Sequence, residues 1–328
     1  GIYWDISAPL SYNALFNFII GNRGGGKSYG VKKHLIKRFI NKQEEFVYLR
    51  RYKTEFKDEG DNSLETFFDD VQQDFPGHDF LVKGKKLYID GHVAGYAMAL
   101  STAKTKKSVP RPKVASIFYD EFIIDKGVYH YLHDEVTCFL ELYETIARMR
   151  DVQVWFVANA ITMTNPYFLY FNITLPYGKT ISCKNDILIE MVCKAEFVEV
   201  KKKTRFAKLI EGTQYAKYSI ENDFLRDSPV FIEKKSGRCD YMFTIIYQGA
   251  RLGIWCSWQA GKIFVSSDTD PDYPTTFALT KEDHSPNSLL IGSLRTNRQF
   301  RWLIDQFNMS NVYFESVNIK NIMYEIMR

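Results

Sequence analysis

Short apolar runs, each closed by glycine, charge or an amide, dominate the first half of the chain. Residues 14–20 (ALFNFII) form one such run ahead of a glycine, which predicts a buried strand. The stretch GNRGGGKS follows at once. From 29 to 39, Val31, Leu35, Ile36 and Phe39 recur close to helical spacing and predict a helix. Residues 46–49 (FVYL) read as a second strand, with Arg50 and Arg51 directly behind it. Strand, loop, helix and strand in that order call for a parallel sheet, because parallel neighbours need a crossover of this length.

The pattern is irregular between 53 and 98. Residues 64–75 carry apolar positions that suit a helix. The run LVKGKKLYIDGHVAGYAMAL predicts antiparallel strands turning at Gly84 and at Asp90-Gly91, the second a hairpin pair. This stretch is expected as an insertion at the edge of the sheet. Pro110 and Pro112 mark residues 104–113 as an exposed loop. Residues 114–119 (VASIFY) form a third core strand running into Asp120, Glu121 and Phe122. A helix is predicted over about 135–148, and residues 152–158 (VQVWFVA) give a fourth strand ending at Asn159. The expected fold class is α/β and doubly wound, with ligands gathered at the carboxyl ends of the strands.

Beyond 189 the texture changes. Residues 194–224 are charged, lack proline and read as helical. Four strands are then predicted in VFIEK, YMFTIIYQ, RLGIWCSW and KIFVSS, with turns at Ser236-Gly237, Gly249 and Gly261. A proline-rich turn and helical segments complete the chain, and no internal repeat is visible. The expected division is a P-loop domain over 1–193, a helical linker over 194–228 and a smaller α+β domain over 229–328.

Composition narrows the classes. The 328 residues are 45% hydrophobic and 25% charged, the balance of a folded globular protein. No run of apolar residues is long enough to span a membrane, and the start GIYWDISAPL lacks a signal-peptide pattern, so a cytosolic protein is expected. Cys138, Cys183, Cys193, Cys239 and Cys256 are scattered without a CxxC pair, which argues against a metal cluster or a disulfide framework. The net charge of +4 says less than its distribution. Basic residues gather in KTKKSVPRPK (104–113) and KKKTRFAK (201–208), the kind of run that meets phosphate backbones, or simply faces water.

The chemistry centres on Gly21, Asn22, Arg23, Gly24, Gly25, Gly26, Lys27 and Ser28, which satisfy G-x-x-x-x-G-K-[ST] in full, with Tyr29 next to them as a further nucleotide-binding candidate. Residues without Cβ let backbone N–H groups curl around phosphate oxygens, and the helix opening near Tyr29 adds its dipole. In this pattern Lys27 reaches the β- and γ-phosphates of ATP and the Ser28 hydroxyl ligates Mg²⁺. Asp120, at the end of an apolar strand, suits the water shell of Mg²⁺, and Glu121 beside it suits activation of the attacking water. Asn159 at the next strand end can bond a γ-phosphate or the lytic water, or simply shape a turn. Arg148 and Arg150 follow the predicted helix, where an arginine serves either a phosphoryl transition state or an ordinary helix end.

With these residues in view, the chain resembles the DNA-packaging motor ATPases of small, phi29-like tailed phages, a terminase-like group of ASCE P-loop proteins. The carriers are FIIGNRGGGKSYG, EFVYLRRYK, SIFYDEF, the ARMR segment, NPYFLYFN, KTRFAKLIEGTQY and VFIEKKS, spread over nearly the whole chain. The resemblance implies a homomeric ring, usually of five subunits, docked on the portal of an empty capsid in the host cytoplasm and translocating double-stranded DNA at the expense of ATP. It makes Gly21–Ser28 the Walker A motif, Asp120 and Glu121 the Walker B pair, and Arg148 a trans-acting arginine finger. Lys107 matches a basic position that reaches a neighbour's site; Lys104, Lys106 and Arg150 join it as candidates for DNA or interface contact. A structural packaging RNA is a further partner that the resemblance suggests.

The resemblance also implies an RNase H-like C-terminal domain without its nuclease. The residues agree, since a two-metal nuclease needs converging carboxylates and neither YMFTIIYQ nor RLGIWCSW has one. Asp268 and Asp270 follow a strand with no evident partner. Three alternatives stand beside this reading: a terminase large subunit with an active nuclease, a P-loop small-molecule kinase, and a module that binds ATP without turning it over.

Overall fold

A computed structural model describes residues 3–21, 23–56, 62–103, 109–124, 131–132, 135–159, 165–173, 175, 179–192, 202–211, 231–291, 296–308 and 311–326. The chain divides into two compact units. The first comprises residues 1–129, 135–161 and 178–223, and the second 130–134, 162–177 and 224–328. Short stretches inside the predicted 1–193 domain therefore cluster with the second unit. Asn22, Lys104, Lys106 and Lys107 lie outside the described residues, as does most of the predicted linker.

The first unit is built on a nine-stranded sheet. In chain order its strands are β1 (Phe16–Gly21), β2 (Glu45–Arg50), β3 (Phe80–Lys83), β4 (Lys86–Ile89), β5 (His92–Ala99), β6 (Val114–Asp120), β7 (Gln153–Ala158), β8 (Ile181–Lys184) and β9 (Ile187–Val192). Their spatial order is β3-β4-β5-β2-β6-β7-β1-β9-β8. Every pairing from β5 to β9 is parallel, while β3, β4 and β8 add antiparallel edges. Phe18, Ile19, Val47, Phe118 and Phe156 are buried on these central strands, which explains their uninterrupted apolar runs.

Helix α1 (Lys27–Lys42) buries Val31, Leu35, Ile36 and Phe39 against the sheet, and Gln43 ends it in a left-handed cap at φ 56°. Helix α2 (Glu135–Ala147) ends one residue earlier than predicted, because Arg148 turns left-handed at φ 52°. Its thirteen residues span about 20 Å and carry the chain from the carboxyl end of β6 to the amino end of β7.

The edge insertion forms as expected, with Asp90 and Gly91 both at positive φ in the hairpin turn. Residues 64–75 differ from expectation. Their bonds run mainly from i to i+3, as in Phe67 N–H to the Leu64 carbonyl at 3.2 Å, and only Gln72–Asp74 forms a 3₁₀ turn. Leu64, Phe67, Phe68, Val71 and Phe75 are buried at helix-like spacing, but Asp69 and Asp70 in mid-segment are poor helix formers.

The second unit holds a six-stranded sheet of β10 (Asp240–Tyr247), β11 (Ala250–Ser257), β12 (Lys262–Ser266), β13 (Thr276–Ala278), β14 (Leu289–Leu290) and β15 (Val312–Phe314). The order is β14-β13-β10-β11-β12-β15, antiparallel across β10-β11-β12 and parallel elsewhere. Helices α3 (Arg298–Asn308) and α4 (Val317–Ile326) cover one face through Phe300, Leu303, Ile319, Ile322 and Met323. Val230, the first residue of the predicted strand VFIEK, lies outside the described residues; among those described the strand reduces to a single bridge, Ile232 to Phe314, because Phe231 sits at φ 65° and breaks the extended chain. Asp268 pairs with Lys235 at 2.8 Å, a lysine rather than the second carboxylate that a two-metal nuclease needs. Among the described residues, no three or more His, Cys, Asp or Glu side chains are grouped to hold a metal ion, and no helix is long and apolar enough to cross a membrane.

Candidate nucleotide site

β1 delivers the chain into the P-loop through Gly21, whose φ of 152° brings its backbone against β9. A Cβ there would lie 2.5 Å from the Val192 carbonyl oxygen, so the position takes only glycine. Gly24 and Gly26 both sit at φ 80°, and Gly26 is the left-handed residue from which α1 starts. A second clasp comes from the first residues of the chain. The Trp4 N–H donates to the Gly25 carbonyl at 2.8 Å, and its indole N–H reaches Glu190 Oε2 at 3.0 Å. The Trp4 ring lies against Gly30, where a Cβ would approach it within 2.8 Å. Gly24 and Arg23 remain exposed beside this clasped loop.

Lys27 is 2% exposed, and its ammonium donates to the Gly21 carbonyl at 3.2 Å. Burial drives its pKa down to about 8, against the opposing pull of Asp120. A cation held this way, inside a glycine cradle at a helix N-terminus, is arranged to receive an anion. The Ser28 hydroxyl meets Asp120 Oδ1 at 3.3 Å, and the Tyr48 hydroxyl donates to Asp120 Oδ2 at 3.2 Å. Burial, then the charge of Asp120, pushes the Tyr48 phenol upward, so it stays a donor. The hydroxyl and carboxylate are hard oxygen donors in contact, a set that fits Mg²⁺.

Glu121 occupies the turn after β6 at φ 53°, a conformation that a residue with Cβ rarely takes. Its carboxylate is 39% exposed and meets Arg50 Nη2 at 3.3 Å. Arg50, 4% exposed, also bonds Glu55 at 3.2 Å. Burial works against its charge, but the surrounding anionic groups outweigh that and raise its pKa above the ordinary arginine value. Asn159 directly follows β7, and β7 lies between β1 and β6. Its backbone therefore sits between the strand that carries the P-loop and the strand that carries Asp120 and Glu121.

Arg148 is exposed at the far end of α2, beside the amino end of β7. The P-loop and Asp120 stand at the carboxyl ends of the same sheet, about 20 Å away along a strand of this length. Arg150 is committed within its own chain. Its guanidinium donates to the carbonyls of Val114 at 2.6 Å, Arg111 at 2.9 Å and Ile146 at 3.0 Å, capping α2 and tying it to β6.

The sequence profile of the podovirus DNA encapsidation protein (Gp16) family matches residues 1–328. The chain belongs to that family. A DNA packaging protein of Bacillus phage PZA is 39% identical over 328 residues, covering 100% of this chain and 97% of its own. A chain of the solved bacteriophage phi29 viral genome packaging motor assembly is 38% identical, with 100% of both chains covered and a TM-score of 0.67. The N-terminal domain of the phi29 DNA packaging ATPase, solved alone, is 40% identical over 60% of this chain and 100% of its own, with a TM-score of 0.55.

Gly21, Gly24, Gly25, Gly26, Lys27, Ser28, Asp120 and Glu121 come together at one end of the sheet, as their motifs require, with Asn159 at the strand between. Arg148 does not join them within the chain. Sequence reading missed Trp4, Tyr48, Arg50 and Glu190. Two consecutive arginines at the end of an apolar strand were the one available signal, but nothing in the spacing said that β2 would lie beside β6.

Proposed function

We propose that this chain is an ATPase that drives double-stranded DNA into a preformed capsid as one subunit of a ring, in the manner implied by its relatives' names. The observation that carries this reading is the buried Lys27 ammonium in its glycine cradle, with Ser28, Asp120 and Glu121 at the same sheet end. The cradle binds and orients the polyphosphate, and Lys27 offsets charge that gathers on the β- and γ-oxygens. Ser28 and Asp120 would hold Mg²⁺, which would supply Lewis-acid neutralisation of phosphate charge. Glu121 aligns the attacking water and takes its proton, and Asn159 donates to that water or to the terminal phosphate.

Arg50 bonds Glu121 in the structure described here, so Glu121 must exchange that partner before it serves as base. Arg148, exposed and about 20 Å along the sheet from its own P-loop, acts on a neighbour's nucleotide. That arrangement makes a homomeric ring, of five subunits by family resemblance, part of the reading. The portal of the capsid and a structural packaging RNA are its proposed partners, in the host cytoplasm at the portal vertex. Lys104, Lys106 and Lys107 are the proposed contacts to DNA or to a neighbouring site.

ATP hydrolysis measured with and without double-stranded DNA at low salt tests this, with Lys27→Ala as the control. A several-fold, Lys27-dependent rise with DNA is expected. Hydrolysis indifferent to DNA, both alone and with portal-bearing capsids, would overturn the translocase reading.

A further inference from the structure

Arg51, directly behind β2, is 1% exposed. Burying a guanidinium costs several kcal/mol unless its donors are met, so its partners matter. Its Nε and Nη2 bond the carboxylate of Glu135, Nη2 at 3.0 Å, and Glu135 is fully buried as the first residue of α2. The same guanidinium donates to the Glu121 carbonyl from Nη1 at 3.4 Å and to the Phe122 carbonyl from Nη2. Tyr119 joins from β6, its hydroxyl donating to Glu135 Oε2 at 3.3 Å and its ring facing the guanidinium at 5.6 Å.

These bonds converge on the turn that holds Glu121 at φ 53°. Such a conformation costs on the order of 1–3 kcal/mol and persists only where the surroundings over-determine it. Two consecutive carbonyls of the turn are fixed by Arg51, and the Phe122 N–H is fixed by the Val157 carbonyl at 3.2 Å. We propose that Arg51, with Glu135 as its counter-ion, is a positioning residue that sets the hydrolytic turn and hence the aim of the Glu121 carboxylate. The inference rests on the reading of Glu121 as the water-activating base. Lysine cannot replace it, because one ammonium does not reproduce the planar fork that spans two carbonyls and a carboxylate.

A merely structural role predicts something different, since an apolar pair of similar volume commonly replaces a buried ion pair without loss of stability. The test therefore uses the full chain carrying Arg51→Lys, and separately the double variant R51M/E135L, with Glu121→Gln in parallel. Affinity for a fluorescent ATP analogue and turnover at saturating ATP are measured for each folded variant. The expected result is unchanged affinity with turnover lowered about a hundredfold, the loss that a misplacement of about 1 Å brings. R51M/E135L turning over at the parent rate would overturn the proposal while leaving Glu121 in its role. Loss of affinity in step with turnover would overturn it too, by showing a general collapse of the site. Glu121→Gln turning over at the parent rate would remove the reading on which the proposal stands.

Discussion

Replacing the P-loop lysine by methionine should make the nucleotide-free protein more stable while abolishing its binding of ATP. Lys27 is 2% exposed, and burial lowers its pKa from 10.5 to about 8, with Asp120 opposing. That distance corresponds to about 3 kcal/mol spent on keeping the ammonium charged at neutral pH. The folded value lies below the unfolded one, so the unfolded chain holds more protons between about 8 and 10.5. Stability then rises with pH across that window, and the penalty is complete below about 8. Methionine keeps the length of the side chain and removes the charge. For a domain of this size about 3 kcal/mol corresponds to a melting temperature about 6–12 °C higher at pH 7. The assay is thermal unfolding of both proteins without nucleotide and with chelator, at pH 7 and above pH 10. The gap between them should narrow sharply at the higher pH. A variant melting at or below the parent at pH 7 would refute the reasoning, because the ammonium's contacts with Gly21 and Asp120 would then outweigh its burial.

Other consequences follow from single contacts. Tyr48→Phe removes the hydroxyl that holds Asp120 at 3.2 Å, so half-saturation by Mg²⁺ should rise about tenfold in a metal titration of hydrolysis, with turnover at saturating metal little changed. Gly21→Ala places a Cβ 2.5 Å from the Val192 carbonyl, and denaturant unfolding should show a loss of about 1–3 kcal/mol. Arg150→Ala strips three carbonyls of their donor and should cost about 2 kcal/mol of stability. Arg148→Ala should leave the melting temperature unchanged and lower turnover, and mixing it with Lys27→Ala subunits should restore part of the rate. No recovery on mixing would remove Arg148 from the neighbour's site.

The parallel core was legible because its strands are buried on both faces and so read as continuous apolar runs. The P-loop and the Asp120-Glu121 pair were legible because their chemistry is local in sequence. What sequence hid was adjacency. Arg50, Arg51 and Tyr48 act on Asp120 and Glu121 only because β2 lies beside β6, and strand order is a tertiary property. β8 and β9 also went unread, although Asn185 and Asp186, at φ 51° and 62°, form a hairpin turn whose residue types announce it. The segment over 64–75 misled in the other direction, since apolar spacing alone does not separate an α-helix from a chain of tighter turns.

The clasp around the P-loop bears on how the protein is made. Trp4 and Gly25 meet early in the sequence, but Glu190, which holds the indole, and Val192, which backs Gly21, are translated more than 160 residues later. β1 itself is flanked by β7 and β9, both supplied by later stretches of chain. Contacts of such long sequence separation form late and slowly. On the ribosome the phosphate cradle therefore stays unfinished until β9 emerges. A nascent chain truncated before residue 187 has the whole P-loop motif and no pocket to put it in.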